Sequence, residues 1–377
     1  MLLETQHALD SIPRSAIVKV MLTRLDTSPS PVARLRYHAR HRGLALALQL
    51  AVKLWHQRLS PDASVQSVRE LKSLRKRFAS LLEQDLDNVA DGIYPESLLH
   101  QFPLAEYIRY LPDALRELLA VRRRKQDGLS RDVERPRDDL DYPRYYLQNF
   151  HWQTGGWLSD RSARLYDMGV EFLFLGTADI MRRMAIRPLV ENLQSTKHPV
   201  RILDVACGTG RFINQLRQAL PYADLVGTDL SPHYIRMARD TSRADAHTSF
   251  VHANAEEMPF ETASFDAVTS VFLFHELPRD ARRKVMREAL RVLKPGGSMT
   301  VCDSAQLAGN EDISDALKRF PMMYHEPFYK GFLDDPVSDL MEEVGFEGAT
   351  TRNHMVASVT VGQRPAQTDS DCENNLA

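Results

Sequence analysis

The sequence is poor in cysteine, and it lacks the patterns of a secreted or membrane-spanning chain. Only three cysteines occur in 377 residues, and no two of them form a Cys-x-x-Cys pair. This usage is typical of a reducing compartment, so we expect a cytoplasmic protein without a disulfide framework. No basic segment precedes an apolar run at the start of the chain, and no apolar run reaches the roughly 20 residues of a membrane span.

A large excess of charge of either sign is also missing. Lys and Arg number 48 and Asp and Glu number 50, which argues against a protein that coats nucleic acid. Residues 1–60 nevertheless hold nine basic and three acidic side chains. This basic stretch could bind a phosphate, bind an anionic membrane or pack against the acidic remainder of the chain.

Apolar spacing divides the chain into a helical first part and a mixed second part. From residue 14 to about 123, apolar residues recur every three or four positions, which predicts about four helices, with Pro103 and Pro112 breaking the last. A further helix is expected over about 161–193, bent before Pro188. We predict a helical domain over 1–125, a charged linker over 126–141, an aromatic-rich lid with connecting helices over 142–195, a sheet domain over 196–363 and a disordered tail over 364–377.

In the second part, short apolar runs alternate with helical segments, which is typical of an α/β sheet with crossover helices. The strand candidates are 200–206, 224–229, 249–253, 265–273, 297–303 and 355–362.

The first of these strands enters a Gly-x-Gly turn, Gly208 to Gly210, that leads into a helix. Such a turn lets a ligand approach the backbone at the carboxyl end of a strand. A dinucleotide fingerprint would need a third glycine where Ile213 stands, and a phosphate-binding P-loop would need a Gly-Lys-Ser/Thr ending. Asp204 near the turn would oppose a pyrophosphate and suits a cationic ligand better.

The run from Asp204 to Gly210 resembles the first motif of the class I S-adenosylmethionine-dependent methyltransferases, and the resemblance covers about residues 198–363. It implies a Rossmann-like sheet that is mostly parallel with an antiparallel last strand, here preceded by an all-α N-terminal domain. It also implies S-adenosyl-L-methionine as the cofactor.

The resemblance extends to individual residues. Asp229 ends the second strand, and the matching acid in that family accepts hydrogen bonds from both ribose hydroxyls. Asn254 stands where the family has Asp at the adenine edge, and Ala255 follows it. The cofactor-binding residues implied in this way are Asp204, Ala206, Gly208, Gly210, Asp229, Leu230, Asn254, Ala255 and Phe272.

Motifs for base methylation are absent from the sequence. The fourth strand is followed by Phe-His-Glu-Leu-Pro where amino-methylating enzymes of the family have Asn/Asp-Pro-Pro-aromatic, and no Cys follows a Pro there. We therefore expect O- or C-methylation of an aromatic, quinone-like or lipid-like small molecule, with a nucleic-acid partner unlikely on this ground. The alternatives are a protein or RNA methyltransferase that docks its partner through the basic N-terminal region, and a non-catalytic cofactor-binding regulator.

Two histidine-containing clusters and the aromatic segment are the candidates for the acceptor site. His275 has a suitable intrinsic pKa for a general base, and no metal site is expected. The catalytic candidates are His275, Glu276 and His325. The substrate-binding candidates are Tyr145, Tyr146, His151, Trp152, Tyr166, Tyr324 and Tyr329. For both groups, loop-fixing hydrogen bonds or packing between the two domains is an equally good interpretation.

Overall fold

The computed structural model describes residues 28–59, 68–136, 141–194, 196, 198–242 and 245–366. The helix expected before residue 28, Cys372 and all of the tail beyond residue 366 lie outside the described residues. Within them, no helix combines the length and the apolar composition needed to cross a bilayer.

The first part of the chain is helical, as predicted. It contains α1 (Pro31–Leu59), α2 (Val68–Ala90), a 3₁₀ turn (Glu96–His100) and α3 (Leu104–Asp127). The prediction that Pro112 breaks the last helix was wrong, because α3 continues through it. Pro112 is exposed, so water can satisfy the carbonyl whose hydrogen bond the proline removes. The helix ends instead at Gly128, which is left-handed and donates its N–H to the Arg124 carbonyl.

Three helices replace the single bent helix expected over 161–193. They are α4 (Asp160–Leu173), α5 (Ala178–Arg183) and α6 (Ile186–Leu193). Leu175 and Gly176 are left-handed, and the N–H of Gly176 bonds to the carbonyl of Glu171. The Glu171 carboxylate then accepts the backbone N–H groups of Ala178 and Asp179, at 3.2 and 2.8 Å. Glu171 therefore helps to end one helix and caps the next.

Seven strands form one sheet in the order β3-β2-β1-β4-β5-β7-β6. The first five strands are parallel, while β7 runs antiparallel to both of its neighbours, as the resemblance implied. β5 begins earlier than predicted, and β6 was not among the strand candidates. The strands are β1 (Arg201–Val205), β2 (Asp224–Asp229), β3 (Thr248–His252), β4 (Phe265–Val271), β5 (Leu293–Ser304), β6 (Glu347–His354) and β7 (Ala357–Gln363).

The remaining helices connect the strands and cover the sheet. They are α7 (Arg211–Ala219), α8 (Pro232–Thr241), α9 (Arg279–Val292), α10 (Ser314–Met323), α11 (Tyr329–Leu333) and α12 (Val337–Val344).

Both faces of the central strands are buried, and the helical first part packs on one of them. Successive strand residues point to opposite faces, so Ile202 and Leu203 belong to different hydrophobic clusters. The cluster of Leu203 contains residues of α9 and α12. The cluster of Ile202 contains residues of α2, α5 and α6, among them Leu81, Leu82, Leu86, Met181, Ile186 and Leu189. The N-terminal helices and the sheet therefore share a core.

A buried ion pair joins α2 to α5 within that core. The Asp85 carboxylate accepts from the Arg183 guanidinium at 2.5 and 2.9 Å, and from the Tyr37 and Tyr94 hydroxyls at 2.5 and 2.6 Å. Burial opposes ionisation of Asp85, but the charge of Arg183 and these hydrogen bonds hold its pKa below the usual value.

We expect Asp85→Asn to lower the free energy of unfolding by about 3–5 kcal/mol, because it leaves the buried Arg183 charge without its counterion. Asp91→Asn is the control: Asp91 pairs with Arg187 at the surface, where such a pair contributes about 1 kcal/mol or less. Urea unfolding followed by circular dichroism measures both. Equal losses in the two variants would show that Asp85 does not join the helices.

Candidate functional site

A cleft lies where the carboxyl ends of β1, β2 and β4 meet the aromatic segment that precedes the sheet. The strand order reverses between β1 and β4, which is where open α/β sheets bind ligands. The cleft has an open volume of about 800 Å³, including the solvent at its mouth. Its lining is Tyr145, Tyr146, Phe150, Trp157, Tyr166, Ala206, Gly208, Thr228, Asp229, Leu230, Tyr234, Ala253, Asn254, Ala255, Val271, Phe272, Leu273, Glu276, Leu277 and Val285.

The two glycines of the turn after β1, Gly208 and Gly210, have different structural roles. Both have positive φ, +56° at Gly208 and +76° at Gly210. Only Gly208 lines the cleft, where an added Cβ would come no closer than 3.9 Å to the Tyr234 ring. An added Cβ at Gly210 would press on Ala238 and Phe250 at 3.2 and 3.3 Å. Gly208 thus leaves room for a ligand, while Gly210 allows α8 and β3 to pack closely.

Two other residues at the strand ends have a left-handed backbone. Ala206 follows β1 with φ +57°, and Phe272 follows β4 with φ +58°. Both line the cleft. Such conformations cost a non-glycine residue about 1–3 kcal/mol and occur preferentially at ligand sites.

Asp229 brings a buried carboxylate to the cleft at the end of β2. Its oxygens accept the backbone N–H groups of Gly208 and Ser231, at 2.9 and 2.8 Å. Burial raises its pKa to about 6, and these hydrogen bonds oppose the rise. Asp204 does not line the cleft; it is buried within β1 and accepts the Thr269 hydroxyl at 2.8 Å.

Asn254 and Ala255 also line the cleft. The Asn254 side-chain oxygen accepts the backbone N–H of Glu256 at 2.9 Å, so this residue shapes the turn after β3.

Aromatic rings form the wall opposite the strand ends. Trp157, Tyr166 and Tyr234 contact one another edge to face, with centroids 5.5–5.8 Å apart. Tyr145 and Tyr146 complete the wall. Sequence reasoning missed Trp157 and Tyr234, although Trp157 lies in the aromatic segment that suggested a lid.

The glycine turn is held from outside by α4 and α5. The Thr209 hydroxyl donates to Asp167 at 2.7 Å, and Arg211, the first residue of α7, pairs with Asp179. Arg182 pairs with the same Asp179 at 2.9 Å. Ion pairs therefore couple the turn to the element that carries Arg183.

A second group of ionisable side chains lies beside the cleft, around Glu276. The His151 Nε2 atom is 2.8 Å from Glu276 Oε1 and 2.9 Å from Glu326 Oε1. Burial and the neighbouring Glu326 charge raise the pKa of Glu276 to about 7, against the lowering effect of His151. Burial lowers the pKa of His151, but the two carboxylates raise it well above the ordinary value.

His275 stands behind Glu276 and does not line the cleft. Its Nδ1 atom is 2.5 Å from Asp303 Oδ1, and its Nε2 atom is 3.7 Å from Glu276 Oε1. Burial lowers its pKa, but the charge and hydrogen bond of Asp303 outweigh burial and bring the pKa to about 9. His275 is therefore protonated at neutral pH in the absence of a ligand.

The other sequence candidates lie outside the cleft lining. His325 contacts Gln148 at 3.0 Å and the Trp152 ring, whereas its neighbour Glu326 joins the group around Glu276. The Tyr329 hydroxyl lies 2.6 Å from Ser304, and the Tyr324 ring lies 6.2 Å from the His151 ring.

Sequence reasoning missed Glu326 and Asp303 as parts of the site. The sequence position of Asp303 could have indicated a role in the site, because Asp303 lies near the carboxyl end of a parallel strand, as Asp229 does.

Residues 202–297 match the model of a family described as a methyltransferase domain. This match, together with the sheet order and the glycine turn, applies to the matched residues of the chain. This part of the chain is a class I methyltransferase domain. The matched residues run from β1 into the start of β5, so the methyltransferase domain supplies the strand-end side of the cleft.

Relatives of the methyltransferase domain include quinone-modifying enzymes. A demethylmenaquinone methyltransferase of Thermus thermophilus is 35% identical over 139 residues, which are 37% of this chain and 60% of the relative. One of Clavibacter sepedonicus is 41% identical over 103 residues, 27% of this chain and 40% of the relative. The match thus spans at most about 60% of the length of these relatives. A solved S-adenosylmethionine-dependent methyltransferase of Methanosarcina mazei is 19% identical, with a TM-score of 0.37 over 48% of this chain and 98% of that one.

We predict that His275 titrates near pH 9 in the ligand-free protein, because Asp303 stabilises its charged form. Nitrogen-15 chemical shifts of the histidine rings measure this directly. Asp303→Asn should lower the midpoint, while His354, whose pKa burial lowers to about 4, should stay neutral near pH 7 in both proteins. A midpoint near the ordinary 6.5 in the wild type would contradict the assigned pairing.

Proposed function

We propose that the protein transfers a methyl group from S-adenosylmethionine to a reduced, quinone-like small molecule. The observation that carries this proposal is the cleft itself, in which a buried carboxylate and a glycine turn face an aromatic wall. The relatives' names favour a quinone-like acceptor among the aromatic and lipid-like classes that the sequence left open.

The residues of the cleft fit the cofactor. Gly208 leaves open space beside the backbone, and Asp229 offers buried carboxylate oxygens that can each accept a further hydrogen bond from a ribose hydroxyl. Asn254, Ala255 and Leu230 also line the cleft, and we assign the adenine edge to Asn254 and Ala255. Asp204 and Gly210 would act indirectly, through β1 and through the packing of the turn.

When bound, the cofactor supplies an electrophilic methyl group on a positively charged sulfur. The residues of the cleft then align the acceptor with the methyl group and exclude water. Alignment alone can lower the activation free energy by roughly 7–11 kcal/mol. Trp157 and Tyr166 offer flat apolar faces for an aromatic ring. They also offer π-electron density that favours a nearby cation.

Glu276 is the proton acceptor that we propose for a hydroxyl of the acceptor. It lines the cleft, and its pKa of about 7 leaves much of it ionised near neutral pH. As the acceptor takes the methyl group, its hydroxyl proton passes to a Glu276 oxygen. His275 holds its own proton and lies 3.7 Å away, so it would position Glu276 and stabilise its charge. We therefore assign to Glu276 the general-base role that the sequence suggested for His275.

Two bases of the basic N-terminal stretch are paired within the chain, whereas Arg36 and Arg42 are exposed. Arg34 pairs with Glu83 at 2.7 Å, and Arg40 donates to the Leu99 carbonyl. These two bases therefore meet the chain itself. Residues 1–27 lie outside the described part of the stretch, and the cytoplasmic location stays a prediction.

We expect Asp229→Asn to weaken binding of S-adenosylmethionine by about tenfold or more, because hydrogen bonds to a charged group contribute about 1.5–3 kcal/mol. Isothermal titration calorimetry measures the affinity. Asp224→Asn, at the exposed opposite end of the same strand, is the matched control and should bind as the wild type does. If Asp229→Asn also binds normally, the ribose assignment is wrong.

The reaction is tested with methyl-labelled cofactor and a set of quinols, with mass spectrometry of the products. We expect label in a quinol, a rate that rises with pH through about 7 as Glu276 ionises, and a loss of about 10²-fold or more in Glu276→Gln. Glu343→Gln, a surface change, is the control.

Label confined to macromolecules would overturn the proposed substrate class. An unchanged pH profile in Glu276→Gln would overturn the proposed base.

A further inference from the structure

Three distant segments bring His151, Glu276 and Glu326 together, and we refer to these residues as the His–Glu–Glu cluster. His151 and Glu276 lie in the 3₁₀ turns Phe150–Trp152 and Phe274–Glu276, and Glu326 lies between α10 and α11. One nitrogen or oxygen atom from each residue lies within 4.8 Å of the others. The His151 backbone is left-handed, with φ +55°, a strained conformation of the kind found at functional sites.

The carboxylates of the cluster have unused oxygens. The Glu326 side chain is completely buried and that of Glu276 is 10% exposed. Yet the Oε2 atoms of both have no hydrogen-bond partner in the part of the chain that the structure describes. Buried polar atoms without partners are uncommon in folded proteins and call for an explanation.

The charges of the cluster also do not balance. Two carboxylates share one imidazole, since the other histidine nearby, His275, is bound to Asp303. When both glutamates are ionised, one negative charge remains even if His151 is protonated. A proton shared by the two carboxylates would also neutralise that charge, and absence of a saturable metal site in the titration below would favour that arrangement. A divalent cation bound to neutral His151 and both carboxylates balances the charge and engages all three side chains.

We propose that the His–Glu–Glu cluster binds one divalent transition-metal ion at the wall of the cleft. An imidazole nitrogen with two carboxylates suits ions such as Mn²⁺ or Fe²⁺ better than Mg²⁺, which prefers oxygen ligands. The distances of 2.8 and 2.9 Å from His151 Nε2 to the two carboxylates are close to the separation of about 3.0 Å between adjacent ligands around an octahedral ion with bonds of about 2.1 Å.

The site would remain open towards the cleft. Glu276 lines the cleft, and the His151 ring lies 5.4 Å from that of Trp157, which also lines it. Three protein ligands leave coordination positions free for water or for an oxygen of a bound molecule. No ligand motif marks this site in the sequence, because the three residues lie at least 50 positions apart.

The test uses the full chain, stripped of metal by a chelator and free of cofactor and acceptor. Titration with Mn²⁺, followed by electron paramagnetic resonance and calorimetry, should show one saturable site per chain. Glu326→Gln should weaken it at least about tenfold. Asp224→Asn removes a carboxylate 2.6 Å from His247 on the surface, so it controls for incidental binding and should leave the affinity unchanged.

The wild type provides a measurement that does not depend on a folded variant. The Mn²⁺ titration of the wild type is itself that measurement, because a site with three protein ligands should bind one ion per chain. Absence of a saturable site, or unchanged affinity in folded Glu326→Gln, would each overturn the proposal. Since no cofactor or acceptor is present, these results are separate from success or failure of methyl transfer. The base role proposed for Glu276 applies to the metal-free protein, in which that carboxylate can accept a proton.

Discussion

Burial of carboxylates at the carboxyl edge of the sheet is the constraint on which the site depends. Glu276 and Asp303 are buried there and Asp229 is half-buried, and each needs a local partner to remain charged. Asp229 receives backbone N–H groups, and Asp303 receives the His275 ring. Glu276 is the least well compensated, because Glu326 competes with it for His151. Glu276, the group with the incomplete set of partners, lines the cleft together with Asp229.

The helical first part of the chain contributes to the site through α5. This short helix carries Arg183, which pairs with Asp85 of α2, and Asp179, which pairs with Arg211 at the start of α7. Its apolar residues enter the core against the sheet. The same element therefore fixes the N-terminal helices on one side and the glycine turn on the other. Because these ion pairs are largely shielded from water, moving one partner away would leave the other charge buried without a counterion. The relative positions of the paired side chains are therefore tightly constrained.

Local sequence signals predicted the sheet and half of the cleft well. Gly208 and Asp229 can be recognised in the sequence because each lies where a strand, a turn and the start of a helix follow one another directly. The turn at Gly208 also needs a left-handed backbone, which glycine adopts most readily. The break at Gly176 was harder to predict. The apolar period continues across it, and the capping by Glu171 depends on a side chain that folds back on the next helix.

By itself, the sequence determined the parallel sheet, the position of the glycine turn and the aromatic character of the opposite wall, because each depends on neighbours within one or two elements. Only the tertiary structure decided that Glu276 lines the cleft while His275 does not, and that Glu326 rather than His325 contacts His151 beside Glu276. The reason is physical: adjacent residues of a short turn point in different directions, and their pKa values depend on burial and on partners such as Asp303 and His151 that lie far away in the chain.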